Sequence, residues 1–335
     1  MDLLARIRAR ARRGRKGAVR LGIGDDCALL RLAPDEELAL TTDLSISGRH
    51  FRLAWHPPES IGHRTLARGL SDLAAMGARP IAAFLSLGLP RELATSARGK
   101  KSWLDRFLDG FLSLADAYET PLAGGDLAES DFAVADIVLT GAVQHGKALL
   151  RSGAHPGDLL YVTGSLGGAA AALAQIKTLD AALKRTYARR DDMERLRIPR
   201  RLAETLRPHL FPQPRIAQGI WLAKRSLASA AVDISDGLST DLAHLCQESN
   251  VAAVIDAAAL PVHHSANLRQ ALHGGEDYEL LFTAPATARL PGAIEGVAVT
   301  RIGRLSRRRA GMPVVAINTS PGRKPLTAQG WQHFS

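Results

Sequence analysis

The sequence predicts a two-domain protein that mixes helices and strands, an α/β or α+β chain. At 335 residues, with 46% hydrophobic and 23% charged side chains, the chain exceeds the usual size of one domain and can bury a sizeable core. Strand-like apolar runs alternate with amphipathic helical stretches along its length. A stretch rich in Gly, Pro and polar residues, 145–158, interrupts this alternation and is the best candidate for a domain boundary.

The first half reads as three strands separated by two helices. Proline favours helix starts and glycine favours helix ends, so a helix is predicted from Pro57 and Pro58 to about Gly77. A second, amphipathic helix is predicted over 101–119, and the strands over 37–46, 80–89 and 131–143.

The second half repeats this alternation. Strands are predicted over 158–164, 228–235, 251–256 and 277–283. Helices are predicted from about Gly167 and over 191–207, 214–225 and 238–248. The tail from Arg307 onward is expected to be rich in loops. The predicted domains are a basic segment over 1–20, an N-terminal domain over 21–147 and a C-terminal domain over 148–335.

The net charge of +10 is concentrated at the start of the chain, where residues 1–20 hold eight basic side chains and one acid. This segment lacks the apolar stretch of a secretory signal and reads as a basic amphipathic helix. No run is long and apolar enough to cross a bilayer, and two distant cysteines give no disulfide framework, so we expect a cytoplasmic protein. Docking of the basic start on RNA or anionic lipid stays open as a minor alternative. The rest of the chain does not favour nucleic acid.

Two nucleotide motifs are incomplete. GAVQHGKA, residues 141–148, has the glycine and lysine spacing of a P-loop, but Ala148 replaces the hydroxyl that should meet Mg²⁺. GIGDDC, residues 22–27, lacks the third glycine of a dinucleotide fingerprint and carries two acids. The first motif is therefore a chance match, and dehydrogenase chemistry is not expected from the second.

Aspartates recur instead beside small residues. Carboxylate oxygens suit Mg²⁺, and small neighbours let phosphate and metal approach the backbone. A lone Asp beside Gly more often caps a turn, but Asp72 lies inside an apolar helical run, where an unpaired carboxylate would be costly. The aspartates in this pattern are Asp25, Asp26, Asp43, Asp72, Asp126, Asp233 and Asp236.

Seven blocks, in this order, resemble the thiamine-monophosphate kinase family: GIGDDCALL, TTDLSISGRHF, LSDLAAMGARP, AGGDL, RSGAHPGDLLYVTG, AVDISDGLSTDL and GGEDYELLFT. The resemblance extends from about residue 20 to the final GWQHF. It implies the α+β fold (α/β sandwich) of the aminoimidazole-ribonucleotide-synthetase superfamily, with an N-terminal domain whose sheet forms a homodimer and a C-terminal α+β domain. It also implies direct transfer of the ATP γ-phosphoryl group to thiamine monophosphate, which makes thiamine diphosphate.

The resemblance further implies residue roles. The implied Mg²⁺ contacts are Asp26, Thr41, Thr42, Asp43, Asp72, Asp126, Asp233 and Asp236. The implied ATP contacts are Gly125, Asp126, Arg151 and Ser235, and the implied thiamine monophosphate contacts are His50, Glu276 and Trp331. Because the acceptor is a phosphate, already largely deprotonated near neutral pH, we expect no general base.

The acids of GGEDYE, residues 274–279, are expected to face the cationic thiazolium of thiamine, with Trp331 offering an aromatic face and Gly274 and Gly275 allowing close approach. A packing role for Trp331 and a structural role for His50 are the competing interpretations.

The chain departs from the family pattern in three places. Arg64 and Gly69 stand where the family usually has Lys and Asn, and Leu127–Glu129 replaces a Thr-Thr-Arg run. The Arg-rich start is the third departure. These leave open an enzyme of the same superfamily that acts on another phosphorylated heterocycle, although GGEDYELLFT and GWQHF favour the thiamine branch.

Overall fold

A computed structural model of the chain describes residues 7, 9–10, 18–23, 27–95, 101–186 and 202–331, with only the backbone for 182–186. The described chain divides into two compact units. The first unit comprises residues 1–73, 79–145 and 178–200, and the second comprises 74–78, 146–177 and 201–335. The predicted domain limits at 20–21 and 147–148 stay predictions.

The first unit is built on a mixed sheet. Its strands are β1 (Val19–Leu21), β2 (Leu29–Leu30), β3 (Glu36–Ile46), β4 (Arg79–Leu89), β5 (Leu122–Gly124), β6 (Leu127–Glu129) and β7 (Val134–Gln144). The order across the main sheet is β3-β7-β4-β5, with β6 also paired to β4, while β1 and β2 pair separately. The strand predictions at 37–46, 80–89 and 131–143 are confirmed within a few residues.

The helices of the first unit are α1 (Pro58–Ala75), α2 (Arg91–Ala94) and α3 (Trp103–Ala117). Ser102 caps α3, because its hydroxyl accepts from the Asp105 N–H while the Asp105 carboxylate accepts from the Ser102 N–H. At Gly69 an added Cβ would lie 2.6 Å from Leu139 Cδ1 on β7, so this departure from the family pattern lets α1 approach the sheet closely.

Only Ile7, Ala9 and Arg10 of the predicted first helix fall within the described residues, and all three are helical. Arg10 donates to the backbone carbonyl of Asp105 at 2.9 Å and to the Asp109 carboxylate at 2.6 Å. One arginine of the basic segment is therefore bound by acids of its own unit.

The second unit contains a larger sheet with the order β15-β14-β10-β13-β8-β11-β9, and β12 also pairs with β13. These strands are β8 (Leu159–Thr163), β9 (Ala230–Asp233), β10 (Val251–Asp256), β11 (Leu280–Ala284), β12 (Ala293–Ile294), β13 (Val297–Arg307), β14 (Val315–Thr319) and β15 (Gly322–Pro325). The helices that begin in this unit are α4 (Gly168–Thr186), α5 (Ala203–Leu210), α6 (Ile216–Arg225), α7 (Leu238–Glu248) and α8 (Leu268–His273).

The core of the second unit is aliphatic. Its buried side chains include Leu160, Val232 and Leu281 from adjacent strands and Leu242 and Leu245 from α7. The prediction of a loop-rich tail was wrong in part, because Val315–Thr319 and Gly322–Pro325 form a hairpin at the sheet edge. The start of the helix predicted over 191–207 lies outside the described residues, and its end falls in α5. Among the described helices, none combines the length and the apolar character that a membrane crossing requires.

Candidate functional site

In the first unit, strand β3 and helix α1 bring together two predicted ligand aspartates. Thr41 and Asp43 lie on the inward face of β3, and Arg68 and Asp72 lie one helical turn apart on α1. The Thr41 hydroxyl donates to Asp72 Oδ2 at 2.5 Å. The Arg68 guanidinium donates two hydrogen bonds to the Asp43 carboxylate, from Nε to Oδ2 at 2.6 Å and from Nη2 to Oδ1 at 2.5 Å. Hydrogen bonds between β3 and α1 thus hold both aspartates, Asp43 through Arg68 and Asp72 through Thr41.

Two other predicted metal contacts differ from these. The Thr42 side chain points to the opposite, exposed face of β3, so Thr41 is the threonine whose side chain lies beside Asp43 and Asp72. Asp26 lies outside the described residues.

Gly125 and Asp126 lie in the break between β5 and β6, beside β4. The Asp126 N–H donates to the Leu85 carbonyl at 3.2 Å, and a Cβ on Gly125 would lie 1.9 Å from that same oxygen, so only glycine fits there. Asp43 and Leu85 both pair with Ile137, so Asp43 and Asp126 are three strand spacings apart. At about 4.8 Å per strand the two backbones are about 14 Å apart, too far for one ion to bind both.

His50 follows β3 and its ring is held locally. Its Nδ1 accepts from the Ile46 N–H at 3.0 Å, which places the ring proton on Nε2. Buried Arg64, which stands at the family's lysine position, donates to the His50 carbonyl at 3.2 Å. The predicted phosphate-binding histidine therefore has a fixed ring with a donor nitrogen.

In the second unit, the backbone assembles four predicted site residues that are far apart in sequence. The Ser235 carbonyl accepts from the Glu276 N–H at 2.7 Å, and the Asp236 carbonyl accepts from the Trp331 N–H at 3.0 Å. Glu276 and Tyr278 both adopt left-handed backbone angles, with φ of 67° and 51°, which non-glycine residues rarely do. The backbones of Glu276 and Trp331 are therefore both bound to the turn that follows β9.

The acids of GGEDYE do not all face a substrate, and the expectation that they do was wrong for Asp277 and Glu279. Asp277 accepts from the N–H groups of Gly167 and Ala169, at 2.6 and 3.1 Å, and so caps the start of α4. Burial raises the pKa of Asp277 to about 7, and those two bonds oppose the shift. Gly275 packs closely against the Ser235 carbonyl, since an added Cβ would lie 2.5 Å from that oxygen.

Glu279 is buried and satisfied inside the unit. Arg215 donates to both of its oxygens, at 2.6 and 2.5 Å, and the Thr163 hydroxyl donates to Oε2 at 2.7 Å. Glu276 differs from both neighbours because 27% of its side chain is exposed. Its Oε2 lies 3.2 Å from Nδ1 of buried His209. Of the three acids, Glu276 is therefore the one that remains a candidate to contact the positive charge of the substrate.

Asp233 and Asp236 follow β9, and a third acid, Asp241, lies in the first turn of α7. Asp241 Oδ2 accepts from the N–H groups of Asp236 and Gly237, at 3.2 and 3.0 Å. Burial, reinforced by the charges of Asp233 and Asp236, raises the pKa of Asp241 to about 8. The negative charges of Asp233 and Asp236 therefore act on Asp241 in the same direction as its burial. Sequence reasoning did not single out Asp241, because an acid in the first helical turn is an ordinary helix-start signal.

Arg151, the predicted ATP contact, lies with an exposed side chain in a short 3₁₀ turn, Arg151–Gly153. Its carbonyl accepts from the Ser249 hydroxyl at 2.5 Å, which ties the turn to the end of α7. Within the described ranges, no three His, Cys, Asp or Glu side chains are arranged to hold a metal ion by themselves. Any cation held here would need further ligands, such as water or phosphate oxygens.

Comparison with known proteins identifies the family. The model of the AIR synthase related protein N-terminal domain matches residues 24–144, and that of the C-terminal domain matches residues 155–312. Thiamine-monophosphate kinase of Escherichia coli K12 is 38% identical, and the match covers 100% of this chain and 98% of that protein. The Bacillus subtilis enzyme is 30% identical over 95% of this chain and 94% of its own. The chain belongs to the thiamine-monophosphate kinase family.

Solved structures of thiamine-monophosphate kinases have the same two-domain α+β fold. The enzyme from Stenotrophomonas maltophilia K279a superposes with a TM-score of 0.76 at 37% identity, covering 94% of this chain and 95% of that one. AaThiL complexed with AMPPCP and TMP superposes with a TM-score of 0.73 at 30% identity, covering 91% and 89%. These matches confirm the fold class and the family predicted from the sequence motifs.

Proposed function

We propose that the protein phosphorylates thiamine monophosphate to thiamine diphosphate by direct in-line transfer of the γ-phosphoryl group of ATP, a step of thiamine biosynthesis. The observation that carries the proposal is the meeting of Glu276, Trp331 and Asp236 in the second unit. The backbones of Glu276 and Trp331 are both bound to the turn at Ser235 and Asp236, and a carboxylate together with an aromatic ring suits a flat organic cation such as thiazolium. The similarity to thiamine-monophosphate kinases along the whole chain supports the same substrate.

The substrate contacts divide by chemistry. Glu276 offsets the thiazolium charge, and Trp331, 46% exposed, offers its ring face to the same cation. His50 donates from Nε2 to a phosphate oxygen, because its Nδ1 already accepts from Ile46. His209 orients Glu276 from the buried side.

The donor set fits magnesium, a hard ion that prefers a few carboxylates completed by water and phosphate oxygens. Bound Mg²⁺ would neutralise phosphate charge during transfer. In the first unit the residues that would hold it are Thr41, Asp43 and Asp72, with Asp126 as a separate ligand position. In the second unit Asp233 and Asp236 would take this role. Asp26 and the backbone of Thr42 complete the proposed set.

ATP is the phosphoryl donor. Gly125 is one proposed contact, and its lack of a side chain also lets the chain pack closely against Leu85 of β4. The exposed guanidinium of Arg151 and the hydroxyl of Ser235 are the other proposed contacts. Positioning and charge neutralisation account for the transfer, so no residue is assigned as a general base.

The protein is proposed to act as a homodimer in the cytoplasm. Strand β3 lies at a sheet edge, and its outward side chains Leu38, Leu40 and Leu44 are 50%, 60% and 45% exposed. An edge strand with an apolar face is a surface that another chain can cover, and here we propose a second copy of this chain.

The test is formation of thiamine diphosphate from thiamine monophosphate, ATP and Mg²⁺ by the purified full chain. Asp43→Asn is the matched variant, because it keeps the size of the side chain and removes the charge that the metal needs. Product from the wild type and at least about 100-fold less from the variant is the expected result. A folded protein that binds ATP but phosphorylates another heterocycle instead would contradict the proposed substrate.

A further inference from the structure

Arg68 and Asp43 form a bidentate ion pair, called the fork below. It joins the permanently charged Arg68 guanidinium to a carboxylate that the proposed function assigns to a metal ion. Both guanidinium bonds are short, at 2.6 and 2.5 Å, and each uses a different oxygen of Asp43. The side chains are only 16% and 22% exposed, so water screens the pair weakly. In the absence of metal, the positive charge of Arg68 therefore balances the negative charge of the Asp43 carboxylate.

A divalent cation and a guanidinium cannot share this carboxylate without repelling each other. Two like charges a few ångströms apart in a half-buried site interact strongly, because little solvent lies between them. Both oxygens of Asp43 would therefore become available to a cation only after the Arg68 guanidinium has left them.

We propose that Arg68 is a built-in competitor for the divalent cation: it holds Asp43 in the metal-free protein and leaves it when the metal binds. Arg68 is thus a positioning residue that sets the metal concentration at which the site fills. The inference rests on the proposed metal role of Asp43 and goes beyond it, because Arg68 is neither a metal ligand nor a substrate contact in the proposed function.

The chain offers a matched control pair on the same helix. Arg106 of α3 donates to both carboxylate oxygens of Glu59, at 2.6 and 2.8 Å, in the same fork geometry. Glu59 lies in the first turn of α1, nine residues before Arg68, which is about 13 Å along the helix axis. Removing Arg106 breaks an equivalent pair well away from Asp43.

The experiment is a Mn²⁺ titration of the nucleotide-free full chain, with free Mn²⁺ followed by electron paramagnetic resonance. Arg68→Met, which keeps the length and removes the charge, is expected to bind Mn²⁺ roughly 10-fold more tightly than wild type, a ratio equivalent to about 1.4 kcal/mol. Arg68→Lys keeps the charge without the fork and should show a smaller gain. Arg106→Met should match the wild type.

Melting temperatures give a second readout. Arg68→Met should melt below wild type without metal and approach it at saturating Mn²⁺, whereas Arg106→Met should show the same deficit in both conditions. Equal deficits for Arg68→Met in both conditions, with unchanged Mn²⁺ affinity, would show that Arg68 is merely structural and would overturn the proposal. So would an absence of Mn²⁺ binding in both wild type and Arg68→Met.

Asp43→Asn distinguishes the proposed metal role of Asp43 from the proposed competition by Arg68. If it weakens Mn²⁺ binding while Arg68→Met leaves affinity unchanged, Asp43 is a ligand and only the competition is wrong. If Asp43→Asn leaves the affinity unchanged, Asp43 is not a ligand, and its metal role in the proposed function fails together with the competition.

Discussion

Glu279→Gln should destabilise the second unit while leaving substrate binding intact. Glu279 is 3% exposed and accepts two hydrogen bonds from Arg215 and one from Thr163. The substitution keeps the shape of the side chain but leaves the Arg215 guanidinium without its countercharge and turns one acceptor into a donor. The damage is therefore electrostatic and internal to the unit.

The expected loss follows from the burial of the pair. Removing one partner of a buried ion pair costs about 3–5 kcal/mol. Because glutamine keeps one acceptor oxygen and Arg215 is partly exposed, we expect the lower end, about 3 kcal/mol. For a cooperative unit of about 150–250 residues this corresponds to a fall in melting temperature of roughly 6–12 °C.

Differential scanning calorimetry checks this prediction, with Glu276→Gln as the matched control. Glu276 is exposed enough that its variant should melt within about 2 °C of wild type. The double variant Glu279→Gln with Arg215→Met should lose less than the sum of the two single losses, because it no longer leaves a buried charge unpaired. A Glu279→Gln protein that melts like wild type but binds thiamine monophosphate poorly would refute the structural role.

Three further predictions concern pH, the aromatic contact and assembly. The pKa of Asp241, about 8 in the folded chain, lies above its usual value, so stability is fully present below about pH 4 and falls as the pH rises toward 8. Asp241→Asn should therefore flatten the decline in metal-free melting temperature between about pH 5 and 8, leaving the part due to Asp277, and an unchanged slope would contradict this. Trp331→Ala should raise KM for thiamine monophosphate about 2- to 30-fold and leave KM for ATP unchanged in steady-state assays, whereas a fall in melting temperature alone would indicate packing. Leu40→Glu should turn a dimer into a monomer in sedimentation velocity, and a wild-type monomer would contradict the proposed assembly.

The sequence predicted most of the elements because their periodicity and end signals agree. Helix 238–248 and strand 251–256 match α7 and β10. Strand β13 was missed because basic residues and Gly303 break its alternation, and the pairing with β8 shifts register between Arg301 and Gly303. The edge hairpin was missed because its exposed strand, Gly322–Pro325, has no apolar pattern.

The sequence predicted which residues form the site better than it predicted which residues bind one another there. The resemblance to the thiamine-monophosphate kinase family implied which acids form the site, and those roles stay predictions; the structure places Thr41 against Asp72 and Arg68 against Asp43. The partners of Asp43 and Glu279 could not be predicted from the sequence, because Arg68 and Arg215 lie 25 and 64 residues away from these acids along the chain. Local patterns carry no information about such pairs.

Steady-state kinetics of thiamine diphosphate formation, with Glu276→Gln beside wild type, test the substrate assignment most directly. We expect product from both proteins, with KM for thiamine monophosphate raised about 10-fold or more in the variant, kcat within about threefold, and KM for ATP unchanged. Wild-type protein that makes no thiamine diphosphate would contradict the proposed reaction, and a variant whose KM for thiamine monophosphate equals that of wild type would contradict the role of Glu276.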